Sequence, residues 1–146
     1  MRLWHYQLLP YLPNAQFKGQ LRELVAIMRD IKSKGTTNHT LINKVMEYPK
    51  TQLSKYFYLY RDEYYRRYGK VVNEQYSFDF SHFAPTAVYW GEHLFEGWHN
   101  TEYLRVCMAN LYEKHHFGIG KSRITDEEWK VLLAGYKVIT GEDYRI

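Results

Sequence analysis

Apolar residues recur at helical spacing in two long stretches of this chain, and this periodicity limits the folds that it can adopt. In the first stretch the recurring residues are Phe17, Leu21, Leu24, Val25, Met28 and Ile31. In the second stretch they are Leu53, Tyr56, Phe57, Tyr60, Tyr64 and Tyr68. Each set lies on one face of an α-helix and can be buried against another helix. The pattern therefore predicts an all-α protein.

Residues with known preferences for helix ends give the bounds of the two long helices. The first is predicted over residues 14–35, since Asn14 follows a proline and the glycine at position 35 can end a helix. The second is predicted over residues 51–68, before Gly69. In its last turn Arg67 points along the buried face, and we expect its guanidinium to reach solvent.

Two further helices and a short helical segment are predicted outside these stretches. The short segment covers residues 40–48, and one of the helices covers residues 101–114. The last covers residues 126–138, where Thr125 and Glu128 form a capping-box pattern at the start.

Between residues 71 and 99 the helical periodicity is lost and aromatic residues dominate. This pattern predicts a long irregular segment, in which an alternation over residues 76–80 permits a short extended piece. Together the patterns predict a compact single domain over residues 1–146, with three to four helices and a long irregular aromatic-rich segment.

Composition and charge exclude several classes of protein. Cys107 is the only cysteine, so an intrachain disulfide and a metal site with paired thiolates are both excluded. No apolar run approaches the ~18 residues of a membrane span, and no signal-peptide core follows the first residues, so we expect a cytoplasmic protein. The net charge of +4 suits a polyanion such as nucleic acid, although many proteins without such a partner carry as much.

A charged pair, Arg22 and Glu23, lies off the buried face of the first helix. At about 100° per residue, Glu23 is roughly 130° from the centre of the apolar stripe, and Arg22 is about as far on the other side. Such a pair is most often a solvated surface. A carboxylate next to a chain terminus can also assist catalysis by the terminal amine.

Three short motifs within the first 24 residues share a spacing with a known family. They are Met1-Arg2-Leu3-Trp4-His5, Tyr11-Leu12-Pro13 and Gly19-Gln20-Leu21-Arg22-Glu23-Leu24. Together they resemble the pyrimidine-dimer DNA glycosylase family, and they align with it without a gap. A weaker resemblance continues at Asn38-His39-Thr40, Glu102-Tyr103-Leu104 and Asn110-Leu111.

The resemblance implies an all-α enzyme that flips a damaged base out of duplex DNA. Its N-terminal α-amine attacks C1′ of the sugar and forms a Schiff base, and β-elimination then nicks the strand. Glu23 would be the catalytic carboxylate, Arg22 would contact a phosphate, and Arg2 would lie near the DNA. The phage enzyme of the family has a further DNA-binding arginine where this chain has Ala26, and Arg29 can take that role.

Position 2 departs from the family pattern. The phage enzyme has a small hydroxyl residue there, and removal of the initiator Met exposes the α-amine of that residue. Arg2 is too large for ordinary Met removal, so we expect the α-amine of Met1 to be the nucleophile. An α-amine has a pKa near 7.7 to 8.0, so a useful fraction is neutral at about pH 7.

Histidines give weaker indications. His5 and His39 are possible neighbours of the site, although each is more often a partly buried histidine whose hydrogen bonds are satisfied. Two histidine–glutamate pairs have the one-turn spacing of metal ligands, His93 with Glu96 and His99 with Glu102. No further ligand set accompanies them, so we expect no metal and no cofactor.

The sequence therefore predicts a monomeric DNA glycosylase with AP-lyase activity on pyrimidine-dimer or other damaged or abasic double-stranded DNA. Two alternatives stay open. Because position 2 is Arg, the chain can be a DNA-binding member of the same fold that lacks the chemistry. It can also be an interaction module that binds a protein partner through aromatic residues.

Overall fold

The computed structural model describes residues 2–34, 39–86 and 93–146, and these residues form helices and the connections between them, with no strand. The described helices are, in chain order, a 3-10 helix Tyr6–Tyr11, α1 Asn14–Lys34, α2 Thr40–Met46, α3 Lys50–Tyr68, α4 Glu74–Phe83, α5 Thr101–His116, a 3-10 turn Gly120–Ser122 and α6 Asp126–Thr140. The all-α prediction is confirmed, and the predicted three to four helices are too few. Predictions that fall on Met1, Gly35, Asn38 and residues 87–92 lie outside the described residues.

The chain divides into two compact units. The first comprises Met1–Leu3 and Gln20–Phe95, and the second comprises Trp4–Gly19 and Glu96–Ile146. Each unit is built from segments that are distant in sequence, and α1 contributes residues to both. The prediction of a single domain over residues 1–146 stays a prediction.

In the first unit, α3 buries the face that its periodicity predicts, and α1 does so except at Leu21, which is half-buried. The buried apolar residues of α1 in this unit are Leu24, Val25, Ile27, Met28 and Ile31. On α3 the side chains of Leu53, Tyr56, Phe57 and Tyr60 are fully buried, and Tyr64 and Tyr68 are half-buried. α3 ends at Gly69, whose φ of +66° is a left-handed conformation that glycine adopts readily.

α4, Glu74–Phe83, lies within the segment that the sequence predicts to be irregular, so the prediction is wrong for these residues and for the extended piece over residues 76–80. The described residues 84–86 and 93–100 contain no helix, as the sequence predicts. The side chain of Asn73 caps the helix by accepting a hydrogen bond at 2.9 Å from the Gln75 N–H. Phe80 is fully buried and stacks on Phe57 of α3, with ring centroids 4.2 Å apart. A ten-residue helix has fewer than three turns. Its apolar pattern is therefore too short to exclude a strand.

In the second unit the 3-10 helix packs against α6. Gly135 permits the close approach, because a Cβ at that position would lie 2.4 Å from Cγ of Tyr11. The predicted capping box of α6 is confirmed. Thr125 Oγ1 accepts from the Glu128 N–H at 3.1 Å, and the Glu128 carboxylate accepts from the Thr125 N–H at 3.0 Å.

α5 packs through one apolar face, and its buried residues are Leu104, Cys107, Met108 and Leu111. Cys107 is a free, buried thiol. None of the helices in the described part of the chain has both the length and the apolar content that a bilayer crossing requires.

Candidate active site at the N-terminal segment

Glu23 binds the backbone of the N-terminal segment. Its Oε2 accepts a hydrogen bond at 2.8 Å from the Arg2 N–H, and both residues are half-buried. A hydrogen bond that a carboxylate accepts is stronger than one between neutral groups. Glu23 lies off the fully buried face of α1, as the sequence predicts, and it directs its carboxylate at the second residue of the chain.

Gln20 binds the other polar group of the same residue. Its Nε2 donates to the Arg2 carbonyl oxygen at 2.8 Å and to Glu23 Oε2 at 3.4 Å. Gln20 and Glu23 are three positions apart and are therefore neighbours on one helix face. We call these two residues the Arg2-binding pair, because together they bind both the N–H and the C=O of Arg2.

Tyr56 on α3 fixes the orientation of the Gln20 amide. Its hydroxyl donates to Gln20 Oε1 at 3.2 Å, and both side chains are almost fully buried, with exposed fractions of 0% and 1%. Since a hydroxyl proton needs an acceptor, the oxygen end of the amide faces Tyr56 and the NH₂ end faces Arg2.

Sequence reasoning missed Gln20 and Tyr56 as site residues. The sequence pattern places Tyr56 on the buried face of its helix, and it places Gln20 within a family motif without indicating a role for it. One signal was present: Gln20 is a polar residue on the buried face of α1, between Phe17 one turn before it and Leu24 one turn after it. A buried polar side chain needs a hydrogen-bond partner, so the position of Gln20 alone predicts that its amide is hydrogen-bonded.

The other predicted site residues of α1 and the N-terminus have simpler surroundings. Arg22 and Arg29 are both exposed, and they are seven positions apart, so they lie on the same face of α1 two turns from each other. The predicted nucleophile, the α-amine of Met1, lies outside the described residues.

A second polar cluster lies on α3. Glu63 is buried, with 7% of its side chain exposed, and it accepts hydrogen bonds from Arg66 and Arg67. The expectation that Arg67 reaches solvent is wrong. Its side chain is only 12% exposed because its Nε donates to Glu63 Oε2 at 2.7 Å. Burial, followed by the nearby Tyr68 and Tyr64, raises the pKa of Tyr60 far above its ordinary value, and Arg67 and Arg22 oppose that rise.

His5 has a structural role in the second unit. It is almost fully buried, and its Nδ1 accepts from the Gln7 N–H at 3.1 Å, which caps the 3-10 helix. Its ring stacks on that of His99, whose Nδ1 accepts from the Tyr6 N–H at 3.1 Å. Burial lowers the pKa of His5 to about 4, and the hydrogen bond with the His99 backbone opposes this change. His5 is therefore neutral near pH 7.

His39 is exposed and stands immediately before α2, where its carbonyl oxygen accepts from the Asn43 N–H at 3.0 Å. The histidine–glutamate pairs at 93/96 and 99/102 are not joined by a further ligand. Among the described residues, no group of three or more histidine, cysteine, aspartate or glutamate side chains could hold a metal ion.

The comparison with protein families identifies the N-terminal half of the chain. Residues 1–76 match the family model described as pyrimidine dimer DNA glycosylase. This match covers just over half of the 146 residues and includes Arg2, Gln20, Glu23 and Tyr56. No curated protein and no solved structure gives a significant match to the chain.

Proposed function

The chain belongs to the pyrimidine dimer DNA glycosylase family, and we propose that it is a DNA glycosylase with AP-lyase activity on pyrimidine-dimer or other damaged DNA. The observation that carries this proposal is the hydrogen bond from the Arg2 N–H to Glu23 Oε2. It brings a carboxylate to the start of the chain, which is where a terminal amine can act as a nucleophile.

The proposed reaction has four steps. The neutral α-amine attacks C1′ of the damaged nucleotide, and the glycosidic C–N bond breaks as the base leaves with its electron pair and takes up a proton. The amine then loses its proton to form the imine while the sugar ring opens. Removal of a C2′ proton expels the 3′ phosphate by β-elimination, and water finally releases the protein from the sugar. Glu23 would stabilise the positive charge that develops at C1′ and carry the transferred protons.

The nucleophilic nitrogen is either on Met1 or on Arg2. While Met1 is present, the Arg2 nitrogen is an amide, which is not nucleophilic. The Met1 α-amine is then the candidate, and only the Cα and carbonyl carbon of Met1 separate it from the nitrogen bound to Glu23. If Met1 is removed, the nitrogen bound to Glu23 becomes the α-amine itself. In both forms the α-amine is at most three covalent bonds from the nitrogen that Glu23 binds.

The exposed cations of α1 fit the polyanionic substrate. Arg22 and Arg29 share one face of the helix. The half-buried Arg2 is hydrogen-bonded to Glu23, which directly follows Arg22 in the sequence. We propose that these three arginines contact backbone phosphates, where guanidinium groups form strong hydrogen bonds. Neither His5 nor His39 has a role in the proposed reaction, because His5 caps the 3-10 helix and His39 stands at the start of α2.

Borohydride trapping tests the chemistry. Wild-type protein incubated with an abasic duplex and borohydride should give a covalent adduct, and peptide mass spectrometry should locate it on Met1 or Arg2. Glu23→Gln should lower nicking of dimer-containing DNA by about 100-fold or more, with little change in the Kd for DNA.

Glu47→Gln is the matched control, because Glu47 is an exposed carboxylate that pairs with Lys44 at the end of α2. It should trap and nick like the wild type. Nicking by Glu23→Gln at the wild-type rate overturns the role of Glu23. Retained DNA binding without any adduct identifies the chain as a DNA-binding member of the family that lacks the chemistry.

A further inference from the structure

The connection between α5 and α6 presents two large apolar side chains to solvent. We call residues 117–125 the α5–α6 loop. Phe117 is 73% exposed and Ile119 is 86% exposed, although both side chains are among those that proteins usually bury. Two such residues close together at the end of a helical hairpin favour a contact with another molecule.

Hydrogen bonds hold the base of the α5–α6 loop in a fixed conformation. The Ile124 N–H donates to the Lys114 carbonyl at 3.2 Å, and the His115 ring is 3.1 Å from the Ile124 carbonyl. Ile124, near the end of the loop, is fully buried. Gly118 fits only as glycine, since a Cβ there would lie 2.1 Å from the Lys114 oxygen.

A second set of contacts holds the far side of the loop. Gln16 Nε2 donates to the Ser122 carbonyl at 3.0 Å, and the Arg123 N–H donates to the Gly120 carbonyl at 3.3 Å. Gly120 has a φ of +73°, which favours glycine at this turn. The exposed side chains therefore project from a braced backbone, and little backbone entropy is lost when they bind a partner.

The segment that carries these apolar side chains is positively charged, and the carboxylates of Asp126, Glu127 and Glu128 follow it in the first turn of α6. Between Glu113 and Asp126 the chain has no carboxylate side chain, and it carries three cations. Lys121 and Arg123, on either side of Ser122, are both exposed. Lysine and arginine beside projecting apolar residues are the combination with which proteins bind backbone phosphates and wedge a duplex at a base step.

We propose that the α5–α6 loop is a second DNA contact, in which Lys121 and Arg123 bind phosphates and Ile119, supported by Phe117, inserts against a base step. The proposal rests on the proposed function for the identity of its partner. Such a wedge would help to distort the duplex, which an enzyme must do before a damaged nucleotide can leave the stack.

Titration of a labelled undamaged duplex with full-length protein over a series of NaCl concentrations tests the phosphate contacts. The double variant Lys121→Gln/Arg123→Gln should weaken binding roughly tenfold at low salt. It should also reduce the slope of log Kd against log[NaCl] by about 1.8, because each lost phosphate contact removes about 0.9. Lys130→Gln/Lys137→Gln is the matched control, since it removes two exposed cations from α6, and its slope should stay near that of the wild type.

Energy transfer between dyes at the two ends of the duplex tests the wedge. Ile119→Ser should reduce the protein-induced bend and leave the salt slope unchanged. Val138→Ser on α6 is the matched control, since Val138 is 73% exposed, and it should bend DNA like the wild type.

These readouts do not depend on catalysis. If no borohydride adduct forms but the loop variants lose DNA binding and bending, the proposed chemistry fails and the loop proposal stands. If the adduct forms and both loop variants bind and bend DNA like their controls, the loop proposal is overturned. It is also overturned if the loop variants keep DNA binding and lose binding to phosphatidylserine vesicles, which would identify a lipid surface as the partner.

Discussion

The Tyr56 hydroxyl donates to Gln20 Oε1 at 3.2 Å, and this contact determines which end of the Gln20 amide faces the N-terminal segment. Without it, the amide could rotate and present its oxygen to the Arg2 carbonyl, where two acceptors would repel each other. A tyrosine of the core of α3 therefore acts on the candidate active site through one intermediate residue.

Tyr56→Phe should slow borohydride trapping by about threefold to tenfold while the Kd for DNA stays unchanged. The buried Gln20 oxygen loses a donor, so the free energy of unfolding should also fall by about 1–3 kcal/mol. Single-turnover trapping and urea unfolding measure the two effects. Tyr58→Phe, two residues further along the same helix, should trap at the wild-type rate. Equal trapping by both variants would show that Tyr56 only fills the core.

Arg67→Met should lower the free energy of unfolding by about 2–3 kcal/mol, because it leaves the buried Glu63 with less compensation of its charge. Arg66→Met is the matched control. Arg66 binds the same carboxylate, but its side chain is 64% exposed, so its removal should lower the free energy of unfolding by less than about 1 kcal/mol. Urea unfolding at neutral pH compares the two. A larger decrease in the free energy of unfolding for Arg66→Met than for Arg67→Met would contradict the assignment of Arg67 as the buried partner of Glu63.

The buried His5 should make the protein less stable in mild acid. Above pH 6.5, its ordinary pKa, it is neutral in both the folded and the unfolded chain. Between pH 6.5 and about 4 the unfolded chain binds a proton that the folded chain does not. The free energy of unfolding should therefore fall as the pH is lowered through this window, by up to about 1.4 kcal/mol per pH unit for this residue. His99, whose pKa burial lowers to about 2, acts in the same direction.

His5→Asn tests this dependence because asparagine keeps an acceptor for the Gln7 N–H and cannot titrate. Urea unfolding across the window should give a shallower pH dependence for His5→Asn than for the wild type, by about one proton. An unchanged slope for His5→Asn would contradict the burial of a neutral ring.

The helices were predictable where local chemistry marks their ends. Gly69 ends α3, and the Thr125–Glu128 capping box starts α6, and each signal operates within a few residues. α4 was missed because its aromatic residues satisfy both a short helical and a short alternating pattern, and only the packing of Phe80 on Phe57 decides between them. Tertiary packing, rather than the local sequence, determines that segment.

The candidate site likewise has features that follow from the local sequence and features that depend on tertiary contacts. The position of Glu23 off the apolar face follows from helical geometry alone, and the family resemblance supplied its proposed role. The Arg2-binding pair could not be predicted, because the return of the N-terminal segment to α1 is a contact between residues 18 and 21 positions apart. The ion pair between Arg67 and Glu63 was not predicted, although the two residues are one turn apart. The apolar pattern indicates which residues face the core, but it does not indicate that a charged side chain among them is buried.

The Arg2-binding pair recognises main-chain atoms, so it makes no demand on the side chain at position 2. Proline, which has no N–H within a chain, is the one residue that could not replace Arg2 while Met1 is present. Evolution could therefore change the chemical character of this residue, including its size and charge, without moving the atom that Glu23 holds.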